Sequence, residues 1–350
     1  MCPAISPPLP SSSTSLDTKY LKPIPNSKNQ TTTVMKTTLY SLLAAAAACG
    51  MALGQTAYTT PVGYYDFAAV AGGNLLVPGL VKPAVFAGPL TAASSTTMTV
   101  AASSLTPSAL NEGAVFATHY VEITQAGANQ GVVIDIESNT ASVITLASDI
   151  SALSLAGTET ITVRPHVTLK SLLLAAEVNL APFTDSATFY LLNGDVVSYT
   201  YGGDSATGWS SDFSTADGND RPVPPGTGFI LNVAADVDLT LTGEVKASPT
   251  VVQLGAGVVN ISGPVNPLAG GTMSLNATGW GLLTPFDDSV TVYTAGPLIT
   301  NVSYSSLGDG NLSTDFFSAT TDTINNTTGA VVIPAVSKSI RVNQGFTVAP

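Results

Sequence analysis

Apolar and small polar residues alternate along most of the chain beyond residue 55, in runs of about five to eight residues. Successive side chains of a β-strand point to opposite faces, so this alternation is typical of strands that bury one face. Only one stretch, Thr168 to Glu177, has the pattern of a helix that begins with a Thr cap. The pattern predicts an all-β protein with one short helix. The clearest strand runs are 132–136, 142–146, 160–163, 238–242 and 289–293.

Segments late in the chain repeat landmarks of earlier segments in the same order. Ala181–Tyr190 and Thr284–Tyr293, 103 residues apart, share a Pro-Phe pair, an Asp-Ser pair and a closing Tyr. Thr- and Val-rich composition or chance also produces alternation, but not an ordered set of landmarks, so we favour a duplication. Four further pairs of segments match: Val196–Tyr201 with Ile299–Tyr304, Ser211–Phe213 with Thr314–Phe316, Pro225–Ile230 with Asn343–Val348, and Ala71–Gly79 with Gly257–Pro264.

We therefore expect two related sandwich-like β units that arose by tandem duplication. The first unit covers residues 55–247 and the second covers residues 248–350. A small β insertion, at about residues 91–180, interrupts the first unit. The alternation leaves open whether the two units share one core.

The segment before residue 55 predicts export from the cell. Residues 35–54 combine a cation, a short apolar run and small residues before the junction of Gly54 and Gln55, which is typical of a cleaved signal peptide. A lipoprotein signal, with lipidation at Cys49, is the minor alternative. We expect a protein secreted to the cell surface, the periplasm or the extracellular space.

Residues 1–34 lack apolar periodicity and carry no fold. They read as a disordered or mis-annotated upstream extension of the signal peptide. Met1 and Met35 both remain candidates for the true start of translation.

Charged residues are few and mostly acidic. They make up 10% of the 350 residues, with a formal net charge of −12. Cleavage after residue 54 removes four of the 11 Lys and Arg and one of the 23 Asp and Glu, which leaves 7 cations, 22 acids and a charge of −15. Nucleic acids need Lys and Arg to displace counterions, so we expect no nucleic-acid partner.

The mature chain has no cysteine, because both Cys residues precede the cleavage junction. Disulfides, thiol catalysis and Cys-bound zinc are therefore excluded for the mature chain. It also has no second apolar run long enough for a transmembrane helix.

Residues able to carry catalysis are sparse. The mature chain has two histidines, His119 and His166, and it has neither a Gly-x-Ser-x-Gly elbow nor a His-Glu-x-x-His helix. The adjacent acids Asp287 and Asp288 would point to opposite faces of a strand and could not flank one glycosidic bond. We predict that the protein is not an enzyme; a hydrolase would need a histidine in a pocket beside an acid and a hydroxyl.

Two kinds of binding site are compatible with the residues present. Calcium prefers hard oxygen ligands, which turn Asp and Asn residues supply, although neither acidic loop has EF-hand spacing. Aromatic side chains can stack on sugar rings, although they also fill the cores of β-sandwiches. The calcium candidates are Asp217, Asn219, Asp220, Asp309 and Asn311. The candidates for glycan stacking are Trp209, Trp280, Tyr199 and Tyr201.

Five short segments stand out from the alternating background: Gly127–Gly131, Ser138–Ala141, Arg164–Leu169, Pro224–Phe229 and Leu241–Val245. Together they resemble a family of secreted all-β proteins of unknown function that is expanded as paralogues in verrucomicrobial bacteria. The resemblance extends over most of the mature chain, from Gly63 to the C-terminus. It implies an exported bacterial protein without an assigned activity.

The leading hypothesis is a secreted structural or adhesive β protein without catalytic activity, at the cell surface or in the extracellular matrix. The alternatives are a carbohydrate-binding module and, less favoured, a secreted hydrolase. The expected partners are further copies of the chain, joined through open strand edges, or a surface polysaccharide. No cofactor other than calcium is expected.

Overall fold

Antiparallel strand pairing dominates the protein, and the all-β prediction is confirmed. The computed structural model describes residues 62–111, 114–203, 208–246, 248–263, 272–293, 301–325 and 328–342. The predicted signal segment, with Cys49, Gly54 and Gln55, lies outside the described residues. None of the helices among the described residues is long and apolar enough to cross a membrane.

The strands, in chain order, are β1 Val62–Ala69, β2 Gly72–Leu76, β3 Phe86–Pro89, β4 Ala92–Ala93, β5 Thr97–Thr99, β6 His119–Ile123, β7 Val133–Asn139, β8 Val143–Leu146, β9 Thr160–Pro165, β10 Val167–Thr168, β11 Ser186–Tyr190, β12 Val196–Tyr201, β13 Trp209–Ser210, β14 Pro222–Val223, β15 Phe229–Val233, β16 Val237–Glu244, β17 Thr250–Leu254, β18 Asn260–Ser262, β19 Thr272–Ser274, β20 Ser289–Tyr293, β21 Asn301–Ser306, β22 Leu312–Ser313, β23 Thr323–Asn325, β24 Gly329–Ile333 and β25 Lys338–Val342. Helix α1 is Leu169–Leu173, and short 3-10 turns occupy Ser151–Leu153, Glu177–Asn179, Leu275–Thr278 and Trp280–Leu282.

The first unit is a sandwich around one hydrophobic core. Its main sheet has the order β13-β12-β11-β15-β2, and β1 pairs with β16 along eight residue pairs. Along β16, Val237, Leu239 and Leu241 are buried while the residues between them are exposed, as the period of two predicts. Burying each such side chain contributes about 1.5–3 kcal/mol. The same core takes up Leu169 and Leu173 of α1.

The second unit repeats this arrangement with its own core. Its main sheet has the order β22-β21-β20-β24-β18, and β17 pairs with β25. Every strand of the first sheet therefore has a counterpart at the same place in the second. The counterpart of β15 is β24, whereas the sequence comparison aligned residues 225–230 with residues 343–348, which lie outside the described residues. The sequence alignment followed the Gly-Phe dipeptide of β15, which β24 lacks. At the position of Phe229 in β15, β24 has Ala330.

Side-chain anchors are also repeated. The Asp185 carboxylate accepts a hydrogen bond from the backbone N–H four residues earlier and another from Ala234, both at 2.8 Å. Asp288 accepts the equivalent bonds from the N–H four residues earlier and from Ala335, at 2.7 and 2.8 Å. In the second unit, Lys338 adds an ion pair to Asp288.

The insertion forms a separate seven-stranded sheet with the order β3-β9-β6-β7-β8-β5-β4 and its own hydrophobic core. Its extent differs from the predicted 91–180. Strand β3, at Phe86–Pro89, pairs with β9 and so belongs to the insertion. Residues 167–180 belong to the first unit, because α1 packs in that unit's core.

The outer faces of the two units meet in a small apolar cluster. Leu75 and Ile261, each one residue after an equivalent buried Asn, lie in this cluster together with Val77. Equivalent residues from both units thus meet, as at a twofold interface. Apart from this cluster the two units have separate cores. The partly buried members are Tyr190 with Tyr293, Ile230 with Val331, and Val259.

Candidate functional site

The aromatic residues predicted to stack on glycans are buried instead. Trp209 and Trp280 are 0% exposed, and Tyr199 and Tyr201 are 3% and 5% exposed. The three first-unit residues lie in the core of the first unit, and Trp280 lies in that of the second. Large aromatic side chains contribute most when they are fully buried, so they fill the sandwich rather than form a surface platform. The glycan prediction is wrong for these four residues.

The acidic residues predicted to bind calcium mostly hydrogen-bond within their own turns. Asp217 accepts bonds from a hydroxyl and a backbone N–H at 2.7 and 2.9 Å, and Asn219 accepts a backbone N–H at 2.9 Å. Asp309 accepts from the backbone and the amide of Asn311 at 3.0 and 3.1 Å, and Asp220 is exposed. The described part of the chain holds no group of three or more His, Cys, Asp or Glu side chains placed to bind a metal ion. Calcium binding stays a prediction.

Neither histidine joins an acid and a hydroxyl in one constellation. His166 is buried, with Nε2 2.9 Å from Asp135, while its Nδ1 finds no hydrogen-bond partner within the described chain. His119 Nδ1 lies 2.8 Å from the carbonyl oxygen of Leu110, and burial lowers the pKa of this imidazole. A nucleophilic triad is therefore not assembled by the described residues around either ring.

Four charged side chains meet where the insertion contacts the first unit. Arg164 on β9 places Nη2 2.5 Å from Glu244 at the end of β16, and Nε 4.0 Å from Glu122 on β6. Lys246 places Nζ 2.6 Å from Glu122 and donates to two oxygens of Ser248. All four charged side chains are almost completely buried. Two cations thus balance two carboxylates, as buried charges require; we call these four residues the charge junction.

The insertion also contacts the second unit. Gly131, in the loop between β6 and β7, accepts a backbone hydrogen bond from Val251 at 2.9 Å. Arg341 on β25 donates to the carbonyl oxygens of Gly127 and Ala128 in the same loop, at 3.1 and 2.6 Å. The charge junction and this loop together hold the insertion against both units.

A turn at the start of β11 exposes an aromatic ring. Phe183 occupies the third position of the turn 181–184, directly after Pro182, and the last N–H of the turn donates to its first carbonyl oxygen at 3.3 Å. The φ of Phe183 is 61°, in the left-handed region that this turn position normally fills with Gly. Phe183 N donates to Tyr201 O at 2.7 Å, which ties the turn to β12.

A second turn, after β13, brings another ring against the first. Phe213 has a φ of 63°, and its N–H donates to Ser210 Oγ at 2.8 Å. The rings of Phe183 and Phe213 have centroids 5.8 Å apart, although 66% of Phe183 and 50% of Phe213 remain exposed. These two residues form the first Phe pair.

The second unit presents the same arrangement. Phe286 and Phe316 both have a φ of 66°, and their ring centroids are 5.7 Å apart. They are 70% and 49% exposed. Each lies 103 residues after its counterpart, and they form the second Phe pair.

The four Phe residues adopt a backbone conformation that is unfavourable for bulky side chains. The other described non-Gly residues with positive φ are three serines. A left-handed conformation costs an L-residue about 1–2 kcal/mol relative to Gly, and an exposed ring recovers little of this by burial. Such strain persists where the surrounding structure enforces it, and it concentrates at ligand-binding positions. The two Phe pairs are therefore the candidate functional site.

Two clefts are weaker candidates for a binding site than the Phe pairs. One has a volume of about 270 Å³ beside Leu80 and Leu172, and the other, of about 430 Å³, lies beside Tyr304 and Asp322. In the second cleft the Tyr304 hydroxyl donates to Asp322 at 2.5 Å, and burial raises the pKa of this tyrosine. The Tyr304 hydroxyl and the Asp322 carboxylate of this cleft therefore already form a hydrogen bond with each other.

Known proteins supply no assignment for these features. Comparisons with protein-family models, with curated proteins and with solved structures found no match to this chain.

Proposed function

We propose that this chain is a secreted, non-catalytic β protein with a structural or adhesive role at the cell surface or in the extracellular matrix, and that it attaches through its two Phe pairs. The observation that carries the proposal is the repetition of an exposed, backbone-strained Phe pair in both units. An apolar side chain that is held in solvent at a cost in stability suits contact with a partner.

The scaffold beneath the pairs supports this role. Equal strand order and equal Asp anchors in the two units favour tandem duplication, which would give one chain two attachment points. The charge junction and the loop 127–131 join three cores into one support. A support of this kind limits the conformational entropy that binding must remove.

Export is part of the proposal. It rests on the signal peptide that the sequence predicts, with its junction at Gly54 and Gln55, and on the resemblance to the verrucomicrobial family, with lipidation at Cys49 as the alternative anchor. The arrangement of His119 and His166 gives a hydrolase no support, so we do not propose one.

Fractionation of the native host tests the proposal. The host would express either the unchanged chain or a variant in which Phe183, Phe213, Phe286 and Phe316 are all replaced by Gly. Gly adopts the left-handed conformation freely, so the turns should keep their shape. We expect the unchanged chain in the surface and matrix fractions and the variant in the culture medium.

The matched control is Leu192→Ser, which removes another exposed apolar side chain, in the turn between β11 and β12. This control should stay with the surface fraction. Equal retention of the four-Phe variant and the unchanged chain would overturn the proposal.

A further inference from the structure

We infer that the Phe pairs bind neutral polysaccharide, with each pair stacked against the apolar face of a sugar ring. This inference rests on the proposed attachment through the pairs and names the class of ligand. It moves the sugar-binding surface away from the buried aromatic residues to four exposed residues that lie outside the hydrophobic cores.

The size and rim of each pair fit a sugar better than a protein. Around the first pair the exposed neighbours are Pro182 and four polar residues, Thr184, Ser211, Asp212 and Ser214. Beside the second pair, Phe317 adds one further exposed ring. A stable protein–protein interface buries roughly 800 Å² on each partner and needs a larger apolar centre than two rings supply. A pyranose ring instead presents a small apolar face of C–H groups surrounded by hydroxyls, which matches an aromatic face with polar neighbours.

The rim carries acceptors for sugar hydroxyls. Asp315, next to Phe316, receives the hydrogen bonds of its turn on Oδ1, from Ser313, Phe317 and Ser318 at 2.8–2.9 Å. Its Oδ2 therefore keeps acceptor sites for a ligand. Asp212 holds the equivalent place beside Phe213, although its Oδ2 already accepts a hydrogen bond from the Ser214 hydroxyl at 2.7 Å. Asp287 adds an exposed carboxylate directly after Phe286.

The sign of the charge selects among polysaccharides. The chain carries a formal net charge of −12, and the sequence neighbours of the Phe residues add the carboxylates of Asp212, Asp287 and Asp315. Lys338, a cation that hydrogen-bonds within a turn of the second Phe pair, is paired with Asp288. Uronate or sulfate groups would meet like charge at the rim, which is unfavourable. Neutral chains avoid this repulsion.

Two equivalent pairs suit a polymer with repeated rings. Stacking contributes about 0.5–1.5 kcal/mol per aromatic contact, so one pair alone binds weakly. When two sites on one chain engage the same polymer, the second binding event becomes intramolecular and can raise the overall affinity by about 10²–10⁴. Loss of either pair should therefore weaken binding far more than twofold.

The test uses the chain as its host secretes it. Retention is measured on insoluble neutral β-glucan and chitin, on alginate gel as the acidic polysaccharide, and on alkyl-coated beads as a plain apolar surface. The variants are F183G/F213G, F286G/F316G, the four-Phe Gly variant, a four-position Phe→Tyr variant and the Leu192→Ser control. Circular dichroism and light scattering check the fold and the oligomeric state of each.

We expect retention on a neutral polysaccharide, at least tenfold weaker retention when one pair is removed, and none when both are removed. The Phe→Tyr variant, which keeps the rings, and the Leu192→Ser control should bind as the unchanged chain does. Alginate should retain none of them.

Several results would overturn the inference. These are the absence of retention on both neutral polysaccharides, retention that survives loss of both pairs, retention on alkyl beads alone, and a dimer that forms through the Phe pairs. If one of these results accompanies Phe-dependent attachment to host cells, the ligand class is wrong and the proposed function stands. If host attachment is also independent of the Phe residues, both fail.

Discussion

Replacement of Lys246 by Met removes one cation from the charge junction while keeping an unbranched side chain of similar length. The Lys246 ammonium lies 2.6 Å from Glu122, and both side chains are 1% exposed. It also donates to Ser248 and to Pro249 O, at 2.7–2.9 Å. The change leaves a buried carboxylate whose nearest remaining cation, Arg164, is 4.0 Å away. Removing one partner of a buried pair costs about 3–5 kcal/mol, and Arg164 places the expected loss near the lower value.

A loss of about 3 kcal/mol corresponds to a fall of about 5 °C in Tm, because the entropy of unfolding is about 2.1 cal/mol/K per residue and the mature chain has roughly 300 residues. Differential scanning calorimetry and urea unfolding measure it, and hydrogen exchange should rise in β6 and at the start of β17. The double variant E122L/K246M removes both charges and should cost less than the sum of the single changes, by at least 1 kcal/mol. Lys170→Met, on α1, is the partly exposed control and should stay within about 0.5 kcal/mol of the unchanged chain.

An additive double variant would refute the coupling of the two charges. A Lys246→Met variant that unfolds with the unchanged Tm would refute the reasoning as a whole, because it would mean that the junction is solvated or the ammonium dispensable.

Three smaller predictions follow from the repeated anchors and turns. Asn74→Ala removes four hydrogen bonds to backbone atoms and should lower the free energy of unfolding in urea by about 1–3 kcal/mol. Asn260→Ala, at the equivalent place, should lower it by the same amount within about 1 kcal/mol. An unchanged stability of either variant would contradict the shared anchoring. Two backbone N–H groups of its turn hold the pKa of Asp315 at about 2. The carboxylate therefore stabilises the turn fully above pH 3.8 and loses this effect as the pH falls through 2. An NMR acid titration of Asp315 with a midpoint near 4 would contradict this prediction. The free energy of unfolding of Phe183→Gly should lie within about 1 kcal/mol of that of the unchanged chain. Phe183→Ala should be less stable than the Gly variant, because Ala keeps the strained φ without a ring. The reverse order of stability would contradict the argument from backbone strain.

Strand positions follow well from the sequence because alternation reports directly on burial. The run 289–293 coincides with β20, and the run 238–242 lies within β16. Helix α1 starts directly after the predicted Thr168 cap, whose side chain accepts the Ser171 N–H, but it ends at Leu173 rather than Glu177. The residue at which a short helix ends depends on tertiary packing, and the local sequence pattern does not report on that packing.

The site was harder to predict, for two physical reasons. Alternation identifies apolar residues but does not distinguish a core Trp from an exposed one, so it does not reveal that Trp209 and Trp280 are buried. The Pro-Phe segments, such as Pro182 with Phe183, served only as landmarks of the repeat. The available signal was a Phe directly after Pro, where such a turn favours Gly. Nothing local links Glu122 to Lys246, because they are 124 positions apart in the sequence.

The comparison of the two units separates packing from function. Their cores differ: Trp209 in the first unit corresponds to Leu312 in the second, and Phe229 corresponds to Ala330. Both residues are smaller in the second unit, whose core holds the fully buried Trp280 in addition. Cores accept different residues when the total volume is kept. The exposed Phe pairs are identical, although Gly would relieve the strain in each turn. Phe residues that are the same in both units, at turn positions where Gly would be less strained, support the proposed contact with a partner outside the protein.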